Sequence, residues 1–214
     1  MNILVTGSSR GIGLAVAQKF LAEGHDVWGV DLRAAAILHC RYRHVQGDIR
    51  DATVNVPDLH ILINNAGTLA EEDAVDVNLT GTMAFTERHI HSPALKSVLF
   101  VASASARNGA EFPRYVASKA GIVGYMKNLA LALSKRGVTV NSVSPGGVVT
   151  PANDHILQNP ALYDAVKRET LLGKWAAAEE VADLIYYLTV VNRSITGEDV
   201  LMDNGEMLKS NFIW

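Results

Sequence analysis

Short, nearly unbroken apolar runs alternate along this chain with longer stretches in which apolar residues return every three or four positions. The short runs are Ile3–Thr6, Asp26–Asp31, His44–Gln46, Ile61–Asn64, Ser97–Ala102, Thr139–Val143 and Asp199–Met202. They read as strands, and the interior ones lack polar alternation, as strands covered on both faces do. Gly11–Glu23 reads as a helix because Ile12, Ala15, Val16, Lys19 and Phe20 fall three and four apart, and residues 74–91, 113–135 and 179–190 follow the same rule. Gly137 is a natural stop after the second of these last three. Strand and helix in alternation are the mark of βαβ units. The expected fold is therefore α/β: a doubly wound parallel sheet of about seven strands, in one domain over residues 1–214. Two stretches lack clear periodicity, residues 152–175 and the tail after Gly205.

Composition narrows the function classes. Of 214 residues, 49% are hydrophobic and 19% charged, an ordinary globular balance. A net charge of −3 gives no electrostatic reason to expect nucleic acid or an anionic membrane as partner. Cys40 is the only cysteine, which rules out an intrachain disulfide and points to a reducing cytoplasm. No apolar run has the length of a signal sequence or a membrane span. His39, Cys40, His44, His89 and His91 are loosely spaced and lack carboxylate companions, so no metal site is expected.

Candidate chemistry gathers in two motifs. Thr6-Gly7-Ser8-Ser9-Arg10-Gly11-Ile12-Gly13 joins the first strand to the first helix. Backbone N–H groups at such a helix start have no partner and can hold a pyrophosphate, with Gly7 for the tight turn, Gly11 for close approach and Gly13 for packing. An ordinary glycine-rich loop would look the same. Asp31 closes the second strand, 18 residues after Gly13. A carboxylate there can accept from both ribose hydroxyls and repel a 2′-phosphate, which favours NAD; Arg10 or Arg33 could instead pair with that phosphate of NADP. Asp48 either meets the adenine amino group or caps a helix. The second motif is Tyr115-Val116-Ala117-Ser118-Lys119. Four residues make about one helical turn, so Tyr115 and Lys119 share a face. An ammonium beside a phenol of pKa roughly 10 is expected to lower it toward use as a base. Taken alone, a Tyr and a Lys at this spacing can equally be a surface pair.

Together, in this order, these motifs resemble the short-chain dehydrogenases/reductases, in the subgroup marked by Thr-Gly-x-x-x-Gly-x-Gly. Further segments match in family order: Asn64-Asn65-Ala66-Gly67, Val77-Asn78-Leu79-Thr80-Gly81, Pro145-Gly146-Gly147-Val148-Val149-Thr150, Glu179-Glu180-Val181-Ala182, and Ile195-Thr196-Gly197 through Asp203-Asn204-Gly205. The resemblance implies a Rossmann-like fold and hydride transfer between a nicotinamide and an alcohol or carbonyl group. It implies that Tyr115 is the general acid/base, that Lys119 tunes it and bonds the nicotinamide ribose, and that Asn78 holds a water leading to solvent. Ser103 would orient the substrate oxygen, with Ser105 in reserve. The cofactor would lie against Gly7, Ser9, Arg10, Gly11, Ile12, Gly13, Asp31, Leu32, Asp48, Ile49, Asn65, Ala66, Gly67, Tyr115, Lys119, Pro145, Gly146, Val148 and Thr150.

The chain is short for this family. Between Asp31 and Ile61 there is room for a strand but hardly for the two helices that normally flank it, and the segment from Gly67 to Asn78 is trimmed. The chemistry should survive while the adenosine side is less covered, or is covered by a partner subunit. Residues 152–175 should form a lid, with Asn153, His155, Ile156, Leu157 and Leu162 over a small or medium, partly apolar substrate and Trp175 following. The family resemblance also implies a homodimer or homotetramer. Phe212-Ile213-Trp214 would pack across a subunit boundary, over a pocket or in the core. Beside NAD(H)-dependent oxidoreduction stand two alternatives, an NADP(H)-dependent carbonyl or 3-oxoacyl reductase and a catalytically silent dinucleotide-binding regulatory subunit.

Overall fold

The computed structural model describes residues 1–208; the apolar triplet 212–214 lies outside them. Seven parallel strands form one sheet: β1 (Asn2–Thr6), β2 (Asp26–Asp31), β3 (Tyr42–Gln46), β4 (Leu59–Asn64), β5 (Ser97–Val101), β6 (Thr139–Pro145) and, last in the chain, β9 (Asp199–Met202). Their spatial order is β3-β2-β1-β4-β5-β6-β9. The order reverses between β1 and β4, and a crevice at the carboxyl ends of the strands is where ligands of such sheets bind. A separate two-stranded ribbon pairs β7 (Val148–Val149) with β8 (Ala176–Ala177).

Side chains two apart on a strand face the same way, and each inner strand feeds both faces. Ile3, Val5, Ile61, Ile63, Leu99 and Val101 pack with helices α1 (Gly11–Ala22) and α7 (Ala178–Tyr186). Leu4, Leu62, Val98 and Phe100 pack on the opposite face with α2 (Thr82–His89) and α4 (Pro113–Leu133). Apolar periodicity therefore located the four helices that cover the sheet. It did not resolve their ends. Residues Val75–Gly81, ahead of α2, form a π-helical segment, and so do Tyr187–Val191 after α7. α4 closes through a 3₁₀ turn onto Gly137, whose φ of +68° is the left-handed stop.

Residues 152–175 are a correction, since they contain helices. After α3 (Ser105–Asn108) and α4, the chain forms α5 (Asp154–Leu157) and α6 (Pro160–Arg168). α6 carries both a cap and an apolar period: the Asn159 side chain accepts from the Leu162 N–H at 3.2 Å, Pro160 stands in the first turn, and Ala161, Leu162, Ala165 and Val166 recur at helical spacing.

The expected trimming is present. Residues 32–41 and 47–58 contain no helix, and Leu32 and Leu38 are exposed. Side chains partly replace the missing helices. On the α1 face the Tyr42 ring leans over Gly29, where a Cβ would sit 2.1 Å from the Tyr42 hydroxyl. That hydroxyl lies 3.0 Å from Ser8 Oγ and 3.1 Å from His44 Nδ1, and His44 Nε2 reaches the Arg33 carbonyl at 2.9 Å. On the other face Ile49 and Val54 bury Trp28, whose ring also carries the Arg43 guanidinium at 4.7 Å.

Candidate active site

The turn from β1 into α1 is fixed from below. The Thr6 hydroxyl accepts from the backbone N–H groups of Asn65 and Ala66, both at 3.0 Å, and Asn65 Nδ2 donates to the carbonyls of Thr6 (3.0 Å) and Gly7 (3.2 Å). Gly7 and Gly11 take left-handed φ values of +68° and +53°. A Cβ on Gly13 would lie 2.1 Å from the Gly7 carbonyl oxygen, so only glycine allows α1 to start this close to β1. No side chain caps the first turn of α1, and the buried Ser9 Oγ has no hydrogen-bond partner. Free N–H donors, an orphaned hydroxyl and a positive helix end form a cradle that fits a dinucleotide's phosphates. Thr150, 3.4 Å from a notional Gly11 Cβ, brings the Pro145–Thr150 loop to the same place.

Asp31 is nearly buried at the end of β2. Its carboxylate accepts the N–H of Ser9 at 3.0 Å and of Arg33 at 2.9 Å, so it is aimed from both sides while Leu32, Arg10 and Arg33 stay exposed. Asp48 behaves differently. It accepts the Arg50 N–H at 2.8 Å and pairs with the Arg50 guanidinium at 2.8 Å, which holds its carboxyl below the usual range. No helix starts at Asp48, so its carboxylate is held in a turn by Arg50 and caps no helix. Ile49 and Val148 turn their side chains into the core, leaving only their backbones for any cofactor contact.

The catalytic candidates meet past the carboxyl end of β5. Ser103 is 8% exposed and accepts a 2.8 Å bond from the Ser105 hydroxyl, so the reserve serine supports the first choice instead of competing with it. On α4, Lys119 Nζ stands 5.7 Å from the centre of the Tyr115 ring and donates to the Val101 carbonyl at 2.9 Å. Asn78 sits in the π-helical segment. Its side chain accepts from Thr68 N–H at 2.7 Å and donates to the Thr68 carbonyl at 2.9 Å and to Ser118 Oγ at 3.2 Å. A Cβ on Gly67 would come within 3.1 Å of Asn78 Oδ1 and 3.6 Å of Lys119 Nζ, so Gly67 opens the space between them.

The electrostatics correct one expectation. Burial pushes the Tyr115 phenol up to about 12, the Glu111 charge adds to the rise, and the Ser103 hydroxyl opposes it. Burial brings the Lys119 ammonium down to about 8. Below about 8 the lysine keeps its charge, and desolvation of the phenol still outweighs the pull of that ammonium.

Sequence reasoning missed two groups. Glu71 accepts from the N–H of Arg114 at 2.8 Å and of Tyr115 at 3.4 Å, capping α4 from a loop 43 residues upstream. Nothing local to either segment signals that contact. A cavity of about 200 Å³ adjoins Ser103, and Glu111, Glu169 and Glu206 line it together with Asn153, Ile156 and Trp175. His155, Leu157 and Leu162 do not line it. A larger, shallow depression of about 620 Å³ beside α6 holds none of the catalytic candidates. Among the described residues no group of His, Cys, Asp and Glu could hold a metal ion, and no helix is long and apolar enough to cross a membrane.

Comparison with known proteins adds an independent line. A family model described as enoyl-(acyl carrier protein) reductase matches residues 42–206. L-rhamnose 1-dehydrogenase (NADP(+)) of Thermoplasma acidophilum is 29% identical, over 97% of this chain and 96% of that protein; the alignment of 244 positions exceeds the chain's own length. The 3-oxoacyl-(acyl-carrier-protein) reductase of Chlamydia pneumoniae is 30% identical, over 95% of this chain and 96% of that one. Among solved structures, 4-hydroxyisoleucine dehydrogenase complexed with NADH superposes with a TM-score of 0.85 at 25% identity, covering 98% of this chain and 99% of the other.

Proposed function

The chain belongs to the short-chain dehydrogenase/reductase family, and from that premise we propose that it transfers a hydride between NAD(H) and a small alcohol or ketone, with Tyr115 as the proton donor and acceptor. Family membership carries the reaction class, a nicotinamide-dependent oxidoreductase acting on an alcohol/carbonyl pair. The observation that supports the residue roles is the chain of contacts from Lys119 to Tyr115 and from Tyr115 to Ser103, which itself lines a cavity.

Gly7, Ser9, Gly11, Ile12 and Gly13 would hold the phosphates, Asp31 the adenosine ribose, and Asn65, Ala66, Gly67 and the Pro145–Thr150 loop the nicotinamide half. When bound, the nicotinamide supplies or accepts the hydride. In the reducing direction, Tyr115 gives its proton to the carbonyl oxygen, and a phenol held near 12 is fully protonated for that step at neutral pH. Ser103 donates to the same oxygen as charge develops on it. Lys119, charged below about 8, replenishes the proton. The Asn78 Nδ2 hydrogens are committed to Thr68 and Ser118, which locks the π-helical segment to α4, while Oδ1 accepts only the Thr68 N–H and keeps a lone pair for a relay water.

The carboxylate at Asp31 is the ground for NAD over NADP. Two exposed arginines, Arg10 and Arg33, support the NADP(H) reading. A silent regulatory subunit would have no use for the assembled proton-handling groups. Following nicotinamide absorbance against a panel of ketones and alcohols tests the proposal. Turnover that vanishes in Tyr115→Phe supports it, and turnover that survives there removes the acid/base assignment. We further propose a homodimer or homotetramer; a monomer in light scattering at micromolar concentration counts against that.

A further inference from the structure

The cavity beside Ser103 is identified by its volume of about 200 Å³ and by the hydroxyl groups that open into it. Its charge says what it takes. Among the described residues, Glu111, Glu169 and Glu206 line it, no lysine, arginine or histidine does, and none of the three carboxylates has a hydrogen-bond or ion-pair partner. They are drawn from separate parts of the chain: Glu111 from the link between α3 and α4, Glu169 from the end of α6, and Glu206 from the turn after β9. Glu206 Oε2 is 3.1 Å from where a Gly146 Cβ would be, which sets it against the loop that follows β6. Glu111 stands at φ +85°, a left-handed conformation unfavourable for a side-chain-bearing residue.

Like charges partly removed from water raise one another's proton affinity, and both Glu111 and Glu206 show it, although the Lys119 charge opposes the rise at Glu111. Burial and then the neighbouring Glu206 push Glu111 up; burial and then Asp203 and Glu169 push Glu206 up. The Glu111 charge also reaches the reacting groups, raising both Tyr115 and Lys119. An anionic substrate would add to this repulsion. A neutral polyol would bond the oxygens but leave their charge uncancelled. An ammonium cancels it and supplies charge-assisted hydrogen bonds.

We propose that the substrate is a small alcohol or ketone bearing an ammonium group near the reacting carbon, and that Glu111 and Glu206 select for it. The proposal rests on the oxidoreductase reading given above. Aminoacetone, hydroxyacetone and pyruvate test it, since they share a three-carbon ketone and differ in carrying a cation, a neutral hydroxyl or an anion. Binding of each to the enzyme–NADH complex is measured by calorimetry and reduction by nicotinamide absorbance, in wild type and in the double variant Glu111→Gln, Glu206→Gln. The expected order is aminoacetone, hydroxyacetone, pyruvate, with the cation ahead of the neutral ketone on the order of tenfold in Kd and kcat/KM. In the double variant that ratio should collapse toward one. A cooperative melt, unchanged or raised by removal of like charges, verifies folding of the variant. A wild-type preference for hydroxyacetone or pyruvate overturns the proposal, as does a preference for the cation that survives in the double variant. Binding of NADH with no detectable binding of any of the three ketones also overturns it, while leaving the oxidoreductase reading intact. Failure of the nicotinamide itself to bind would strike that reading first.

Discussion

At the carboxyl ends of β4, β5 and β6 the groove is bounded by complete elements. α4 runs 21 residues, is capped from a distant loop by Glu71, and presents a buried lysine beside a half-buried tyrosine. Beyond β2 and β3 the connections shrink to loops, and single side chains do what helices do elsewhere: Tyr42 covers Gly29, and Ile49 with Val54 covers Trp28. The difference follows from what each end must do. Proton transfer requires placement within a hydrogen-bond length and a controlled dielectric, which only packed elements maintain. Recognition of an adenosine ribose requires one aimed carboxylate, and Asp31 is aimed by two backbone N–H groups without help from a helix.

Six substitutions sharpen that contrast. The largest effect is expected at the chemical end. Tyr115→Phe should lower kcat on the order of a thousandfold while the dissociation constant for NADH, read by fluorescence, changes little. Ser103→Ala and Ser105→Ala refine it: loss of the first should cost on the order of a hundredfold in kcat and loss of the second clearly less, because Ser105 acts through Ser103. Equal losses would mean that the two hydroxyls share the substrate oxygen.

How much of this was legible in the sequence differs between the same two ends. Apolar periodicity located every strand of the sheet and the four helices that cover it, because sheet-covering helices and doubly covered strands impose those periods. The glycine turn, Asp31, Ser103, Tyr115 and Lys119 were legible as motifs, since each sits at a strand end or on a helix face whose geometry follows from local spacing. The direction of the Tyr115 shift was not. Spacing gives the neighbour, but the shift depends on desolvation by β5, α3 and the cavity wall, which come from remote parts of the chain. Glu71 and Glu206 reach the site only through tertiary folding, and no local pattern marks them. The π-helical turn at Asn78 carries the same apolar signal as an α-helix, and α6 was overlooked although Leu162, Ala165 and Val166 recur at helical spacing, because the period spans only nine residues within a polar stretch.

At the cofactor end, Gly13→Ala should destabilise the protein by about 1–3 kcal/mol, since the new methyl would meet the Gly7 carbonyl and nothing there is flexible. Thermal denaturation reads this directly. Lys119→Met gives a smaller, pH-dependent change. In the folded state the lysine gives up its proton near 8, in the unfolded chain near 10.5, so between those values the unfolded state binds more protons and wild-type stability rises with pH. The variant should lack that rise; a parallel Tm profile in both proteins would show that Lys119 is not desolvated. The smallest effect is expected from Tyr42→Phe. Losing the hydroxyl between Ser8 and His44 should cost about 1 kcal/mol and weaken NADH binding a few-fold, with kcat at saturating cofactor unchanged.

The central claim is that the chain keeps a working dinucleotide site on its trimmed side. A parallel titration of the purified protein with NADH and NADPH, following nicotinamide fluorescence, tests it most directly. The account predicts saturable binding of both, with NADH tighter by about tenfold because Asp31 repels the 2′-phosphate. Tighter binding of NADPH would move recognition to Arg10 or Arg33, and binding of neither would contradict the account outright.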